Sequence, residues 1–462
     1  MRTGSRQLLK RLMVVLLAAP ALQAQDAILS GTVVTPDKII SKGWIVIRQG
    51  RIESITEKPP LAAKPPVVET GGIIFPGFID LHNHPMYDAF PRWRPATKFK
   101  NRYEWRDLQE YKDLVGMPGS ELQKKNDRTF CDLDEYAEVR ALIGGTTSIT
   151  GISPRQGKDM PVPMCVAGLV RNLDWASGFY GTTVGHERVK NALGVTPHDM
   201  SESDAAILRD ELRTNDLDLL LIHVAEGSPH DLESSVELLA LQGRGLLSSH
   251  TAIIHGTALA ADDFRQMHTA GAALIWSPRS NMELYGVTTD IPAAVREKVT
   301  VALAPDWSPT GSTNMLAELG YASRYNRQQL SSQITDRELF QMSTAIPARI
   351  ARIDDKVGTI EVGRYADLFV LKGDGSQPFA TLANAQPQDV ELVFIGGVPL
   401  FGSEKLMSRF HVKSEAVEVC GASMFLNSAA LPDDTLAAVR WRLEGDLKEY
   451  GIALAPLAEC QP

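Results

Sequence analysis

Five apolar runs in this chain each stop at polar, chemically capable residues, and that recurrence restricts the fold more than any other feature of the sequence. Residues 73–81 lead into His82-Asn83-His84, and Leu219-Leu220-Leu221-Ile222 leads into His223, with Glu226 three residues further on. Ala252-Ile253-Ile254 ends at His255, and residues 272–276 run into Ser277-Pro278-Arg279-Ser280-Asn281. Val301-Ala302-Leu303-Ala304 runs into Pro305-Asp306. Helical patterning over residues 232–241 and 262–267 separates the later runs, so the order is βαβα and the sheet is parallel. An open sheet would scatter those polar ends, whereas a closed eight-stranded barrel gathers them at one mouth. The expected class is α/β, a (β/α)8 TIM barrel over residues 73–354.

Alternate residues of a strand share a face, so His82 and His84 point together and Asn83 points away. One metal ion can then reach both imidazoles. Pro76-Gly77 interrupts regular pairing just upstream, as suits a buried strand whose end opens into a polar site. The segment Phe75-Pro76-Gly77-Phe78-Ile79-Asp80-Leu81-His82-Asn83-His84 resembles the first-strand signature of the amidohydrolase superfamily. His223-Val224-Ala225-Glu226 resembles the fifth-strand motif of the branch holding cytosine deaminase, the triazine hydrolases and adenosylhomocysteine deaminase. His255 and Asp306 fall where that branch has its sixth-strand histidine and eighth-strand aspartate, and the similarity covers residues 27–402. The resemblance implies that His82, His84, His223 and Asp306 are metal ligands, that Glu226 shuttles protons and that His255 polarises the substrate.

Hydrolytic chemistry asks for the same set. Imidazoles and one carboxylate leave net positive charge on a divalent ion, which lowers the pKa of coordinated water from ~16 toward ~7. Asp306 can orient that water or take its proton, and Glu226, beyond the strand end, can carry the proton to a leaving nitrogen. Zinc is the expected metal, with iron or manganese fitting the nitrogen and oxygen donors nearly as well. Two-metal relatives bridge their ions with a carboxylated lysine or a glutamate, but between Cys165 and His223 the only lysine is Lys190, in a hydrophilic context that reads as surface. One metal ion is therefore expected. His186, His198, His230, His250, His268 and His411 read as structural or solvated.

Substrate signals come from two loops. Residues 85–106 interleave aromatics with arginines, Trp93 and Arg102 among them, and would either cradle a planar or anionic small molecule or pack a lid. The branch usually has Asn-Pro or Cys-Pro before the Ser-Asn of the seventh-strand loop, where this chain has Ser277-Pro278-Arg279. That departure speaks against a nucleobase, and Arg279, with Asn281, suggests an anchor for a carboxylate-bearing substrate.

Short strand patterns over residues 28–34, 43–47 and 51–55 and over residues 359–371 and 390–400 flank the barrel. They resemble the superfamily's composite β-sandwich, here residues 25–72 with 355–405, leaving 406–462 as a C-terminal extension with a helical stretch at 435–447. Residues 1–24 read as a signal peptide: Arg2, Arg6, Lys10 and Arg11 precede a short apolar core, and cleavage after Ala21 or Ala24 would send the chain to the periplasm or outside. Loss of those four cations takes the net charge from −9 to about −13, a poor match for nucleic acid or anionic lipid, and no later run is long enough to span a membrane. The partner is then a small-molecule substrate, with assembly into a homo-oligomer left open. Export makes disulfides the default for the four cysteines, with Cys131–Cys165 and Cys420–Cys460 the preferred pairing. Two function classes follow. The first is a hydrolase of non-peptide C–N bonds (amide, cyclic amide, or deamination of a heterocycle), and the second is an exported metal-binding protein without turnover. The complete set Glu226, His255 and Asp306 favours the enzyme, because binding alone needs no proton shuttle.

Overall fold

The computed structural model describes residues 24–60, 65–152, 169–174, 189–192, 196–431 and 434–460. Its centre is the expected barrel. Three parallel strands, Phe78–Asp80, Thr146–Ile149 and Arg171–Asn172, form one arc. Five more, Val189–Ala192, Leu219–Val224, Thr251–His255, Ala273–Trp276 and Thr300–Leu303, form the other. The last strand returns to the first where Asp306 N–H donates to His82 C=O at 3.0 Å. Strands buried on both faces need apolar residues at every position, and Leu219–Val224 shows how they divide. Leu219 and Leu221 join Ile79, Leu81, Ile254 and Ile275 inside the barrel, while Leu220 and Ile222 face the helices. Val189 also points inward, so Lys190 lies on a barrel strand with its side chain on the outer face, half-buried rather than in a surface loop.

Both flanks of the barrel enter one nine-stranded sheet. Its order from one edge is Ser414–Val419, Ala422–Asn427, Val398–Ser403, Val390–Ile395, Leu368–Leu371, Val67–Pro76, Ala27–Val34, Ile39–Arg48 and Arg51–Thr56. The seam lies between Val67–Pro76 and Leu368–Leu371, which run antiparallel with Phe369 opposite Phe75. Alternation sets what each face does. Ile74, Leu368, Val370, Leu392 and Phe394 build a core private to the sheet, whereas Ile73, Phe75, Phe369, Leu371 and Val393 pack toward the barrel. The sheet exceeds the bounds read from sequence at both ends, reaching Pro76 and taking in two strands of the C-terminal segment.

The rest of that segment packs on the barrel. Helix Leu436–Lys448 lies against helix Asp127–Ile143, joined by the Arg442–Asp132 ion pair at 2.8 Å. Cys420 and Cys460 are disulfide-bonded, as expected. Cys165 falls outside the described residues, and with it the pairing proposed for Cys131; residues 1–23 of the expected leader 1–24, and His186, fall outside them too. No helix among the described residues is long and apolar enough to cross a membrane.

Candidate metal centre and active site

The barrel mouth gathers five residues that the sequence scatters from position 82 to position 306. Imidazole centroids lie 5.4 Å apart for His82 and His84, 5.0 Å for His82 and His223, and 4.9 Å for His82 and His255. Asp306 Oδ1 sits 3.3 Å from Nε2 of both His82 and His84. Donor atoms converge as two overlapping triplets, His82-His84-Asp306 and His82-His223-His255. His82 belongs to both.

Local structure explains the aim of each group. Asp80, closing the first strand, accepts from His82 N–H at 3.0 Å and Asn83 Nδ2 at 2.9 Å, which shapes the turn presenting His82 and His84. His82 Nδ1 lies 2.9 Å from Ser277 Oγ, leaving Nε2 to face the centre. At the other strand ends the chain turns by adopting positive φ without glycine: 56° at Ala225, 67° at His255 and 66° at Asp306. Each costs on the order of 1 kcal/mol or more and is held by its surroundings. Ala225 N–H donates to buried Glu237 at 2.6 Å, and Thr289 Oγ1 donates to His255 C=O at 2.5 Å.

The electrostatics suit a cation. Burial pushes His82 and His223 well below the ordinary imidazole range, keeping both neutral and able to donate lone pairs. Burial acts against the Asp306 carboxylate, but His82 and His84 outweigh it and hold the group ionised. His82 Nε2 and His223 Nδ1 are buried with no hydrogen-bond partner, a cost that a bound ion would remove. Neutral imidazoles, one carboxylate and orphaned buried nitrogens fit a divalent metal.

Glu226 stands beside this set. Oε1 accepts from Tyr285 OH at 2.6 Å, while Oε2 faces Arg102 Nε at 3.5 Å and His255 Nε2 at 3.7 Å. Trp105 Nε1 in turn donates to Tyr285 OH at 2.8 Å. Tyr285 was missed in the sequence, although it follows Asn281 by four residues on helix Pro278–Tyr285 and so shares its face.

The residues expected to hold substrate fall in different places. Arg102 is buried at the site, against Glu226, and Asn281 is spent on His255, with Nδ2 2.8 Å from Nδ1 of that ring. Arg279 is already occupied: its guanidinium pairs with Glu459 at 2.7 Å, a carboxylate from the C-terminal tail that also lies 3.4 Å from Arg92. Trp93 packs in an aromatic cluster with Phe99, Trp105 and Trp307, the lid-packing alternative for that loop.

Comparisons with known proteins agree with this architecture. The Amidohydrolase family profile matches residues 192–400. A 5-methylthioadenosine/S-adenosylhomocysteine deaminase from Syntrophobacter fumaroxidans is 24% identical over 391 residues, covering 76% of this chain and 85% of the relative. Its counterpart from Teredinibacter turnerae is 29% identical over a shorter stretch of 175 residues, 36% of this chain and 38% of that protein. Among solved structures, a zinc-bound adenosine deaminase from Xanthomonas campestris superposes with a TM-score of 0.69 at 16% identity, covering 92% of this chain and 98% of that one, a likeness of fold. With the barrel, the composite sheet and the histidine-aspartate mouth in place, the chain is similar to the amidohydrolase family in sequence over residues 192–400 and in fold over nearly its whole length.

Proposed function

We propose that the protein is a metal-dependent aminohydrolase that replaces the exocyclic amino group of a purine-like heterocycle with oxygen and releases ammonia. The observation that carries this reading is the pair of donor triplets, His82-His84-Asp306 and His82-His223-His255, that share His82, with Glu226 alongside. The relatives' names supply the substrate class and weigh against the earlier inference from the Ser277-Pro278-Arg279 departure. The expectation of an acidic substrate loses its support as well, since Glu459 occupies Arg279.

A divalent metal, zinc suiting the donors best, would be held by His82, His84, His223 and Asp306 and would make a coordinated water nucleophilic near neutral pH. The chain's own groups handle the protons. Tyr285 ties down Glu226 Oε1, so Oε2 is the atom that takes the proton lost by water and returns it to the departing nitrogen. Arg102 Nε lies 3.5 Å from Oε2 and holds that oxygen beside the site. His255, with Nε2 3.7 Å from Glu226 Oε2, is placed to polarise the substrate. Export remains part of the proposal, and the Cys420–Cys460 bond, at home in an oxidising compartment, supports it.

The test is zinc analysis of the purified mature chain followed by ammonia release from adenosine, S-adenosylhomocysteine, methylthioadenosine and guanine, beside a panel of carboxylate-bearing amides. Stoichiometric zinc, ammonia from a heterocycle, and at least a hundredfold loss in Glu226→Gln with zinc retained are expected. Hydrolysis confined to the amides would overturn the deaminase reading. Stoichiometric zinc with no turnover of either panel would favour a binding protein.

A further inference from the structure

Helix Pro278–Tyr285, together with its cap Ser277, reaches three groups of the active site. Ser277 Oγ lies 2.9 Å from His82 Nδ1, Asn281 Nδ2 lies 2.8 Å from His255 Nδ1, and Tyr285 OH donates to Glu226 Oε1 at 2.6 Å. Four-residue spacing puts these side chains on one face. Positions 279 and 283 lie two residues out of step, about 200° round the axis, and so fall on the opposite face. The helix ends are held separately, Arg279 N–H donating to Glu318 Oε1 at 3.1 Å and Leu284 C=O accepting from Phe99 N–H at 2.9 Å. What grips the outer face between those ends helps to aim the inner one.

The grip comes from the C-terminal tail. Arg279 Nη1 pairs with Glu459 Oε2 at 2.7 Å, Glu459 Oε1 lies 3.4 Å from Arg92 Nη1, and Arg92 Nη2 lies 3.8 Å from Glu283 Oε2. Signs alternate along this line, which leaves the helix at Arg279 and returns to it at Glu283. Arg92 also donates to the carbonyls of Thr310 and Gly311, in the loop that follows Asp306. The side chains of Arg92, Arg279 and Glu459 are 17%, 18% and 27% exposed, so water screens their charges only in part. The two guanidiniums are near enough to repel, since burial and then Arg279 push Arg92 below its ordinary pKa. Without Glu459 only Glu283 would offset them. Glu459 is itself held on both sides: Ala455 N–H donates to Ala89 C=O at 2.9 Å, and Cys460 is bonded to Cys420, in the turn between the two C-terminal strands of the outer sheet. Short tethers leave the carboxylate little entropy to lose on pairing.

We propose that Glu459 is a positioning residue: the C-terminal tail completes the active site by clamping the outer face of helix Pro278–Tyr285 through Arg279 and Arg92, and so holds Ser277, Asn281 and Tyr285 against His82, His255 and Glu226. Its effect on turnover rests on the aminohydrolase reading, but its effect on the helix does not. Small misplacements of the groups around a reacting centre are costly, so a contact remote from the chemistry can govern the rate.

The experiment uses the zinc-loaded full chain and its Glu459→Gln variant, which removes the charge and keeps the shape. Hydrogen–deuterium exchange, read by mass spectrometry well below the melting temperature of each protein, should be about tenfold faster over residues 278–285 and unchanged in the barrel strands. In steady-state kinetics kcat should fall about tenfold with KM and zinc content nearly unchanged. Arg279→Met breaks the same line from the helix side and should reproduce both effects, and adding Glu459→Gln to it should cause little further loss. Wild-type exchange over residues 278–285, or exchange accelerated equally throughout the chain, overturns the clamp whatever the substrate is. Faster exchange with wild-type kcat, or losses that simply multiply in the double variant, overturns its part in turnover. A wild-type protein that releases no ammonia overturns the aminohydrolase reading alone, and exchange still decides the clamp.

Discussion

At the scale of single residues, Tyr285 shows how much of the site's precision comes from groups outside the reaction. Its hydroxyl fixes one oxygen of Glu226, which under the proposed function leaves the other to exchange protons. Tyr285→Phe is expected to lower kcat about ten- to hundredfold with KM and zinc content unchanged, and to cause no further loss in a Glu226→Gln background, both read by steady-state kinetics. Glu318 offers a stability measurement. Burial raises its pKa to about 7 despite hydrogen bonds from Ser312 Oγ and Arg279 N–H. The unfolded carboxyl ionises above its ordinary value of 4.5 while the folded one keeps its proton, so stability falls as pH rises from there to about 7. Relative to wild type, Glu318→Gln should therefore gain up to about 3 kcal/mol between pH 4 and pH 8, measured by urea unfolding at each pH; equal pH profiles would contradict the assignment. His82, His84, His223, Glu226, His255 and Asp306 were legible in the sequence because they follow four apolar runs, at residues 73–81, 219–222, 252–254 and 301–304. Arg279 and Asn281 were not, because what they touch is contributed by Glu459 and His255, and no local pattern announces those partners.

Among the elements, the barrel strands were legible and the outer sheet only in part, for one physical reason. A strand buried on both faces writes an uninterrupted apolar run, as Leu219–Val224 does. An edge strand such as Ser414–Val419, with Glu415 half-exposed and Glu418 exposed, writes little that separates it from a loop. The helix at Leu436–Lys448, by contrast, lies within two residues of its sequence reading. The Cys420–Cys460 bond, with a sequence separation of 40, fastens the tail beyond this helix to the sheet. Replacing both cysteines by serine should cost about 4 kcal/mol in the loop-entropy model, seen as a lower urea midpoint, and an unchanged midpoint would mean that packing of the helix alone secures the tail. Loss of the bond should also loosen Glu459 from Arg92 and Arg279.

For the whole molecule, the metal centre ties together strand ends from across the barrel, so occupancy should register as global stability. Chelation is expected to lower the melting temperature and added zinc to restore it, by about 4 kcal/mol when free zinc exceeds its dissociation constant a thousandfold. Asp306→Asn should blunt that response, and a melting temperature indifferent to chelator would separate the site from the fold. The seam of the large sheet has a different bearing. Phe75 waits for Phe369, which the ribosome supplies only after the entire barrel has been made. For that interval an apolar edge stands open, able to pair with any extended neighbour, so chaperone capacity during synthesis, rather than the stability of the finished enzyme, is what should limit its yield.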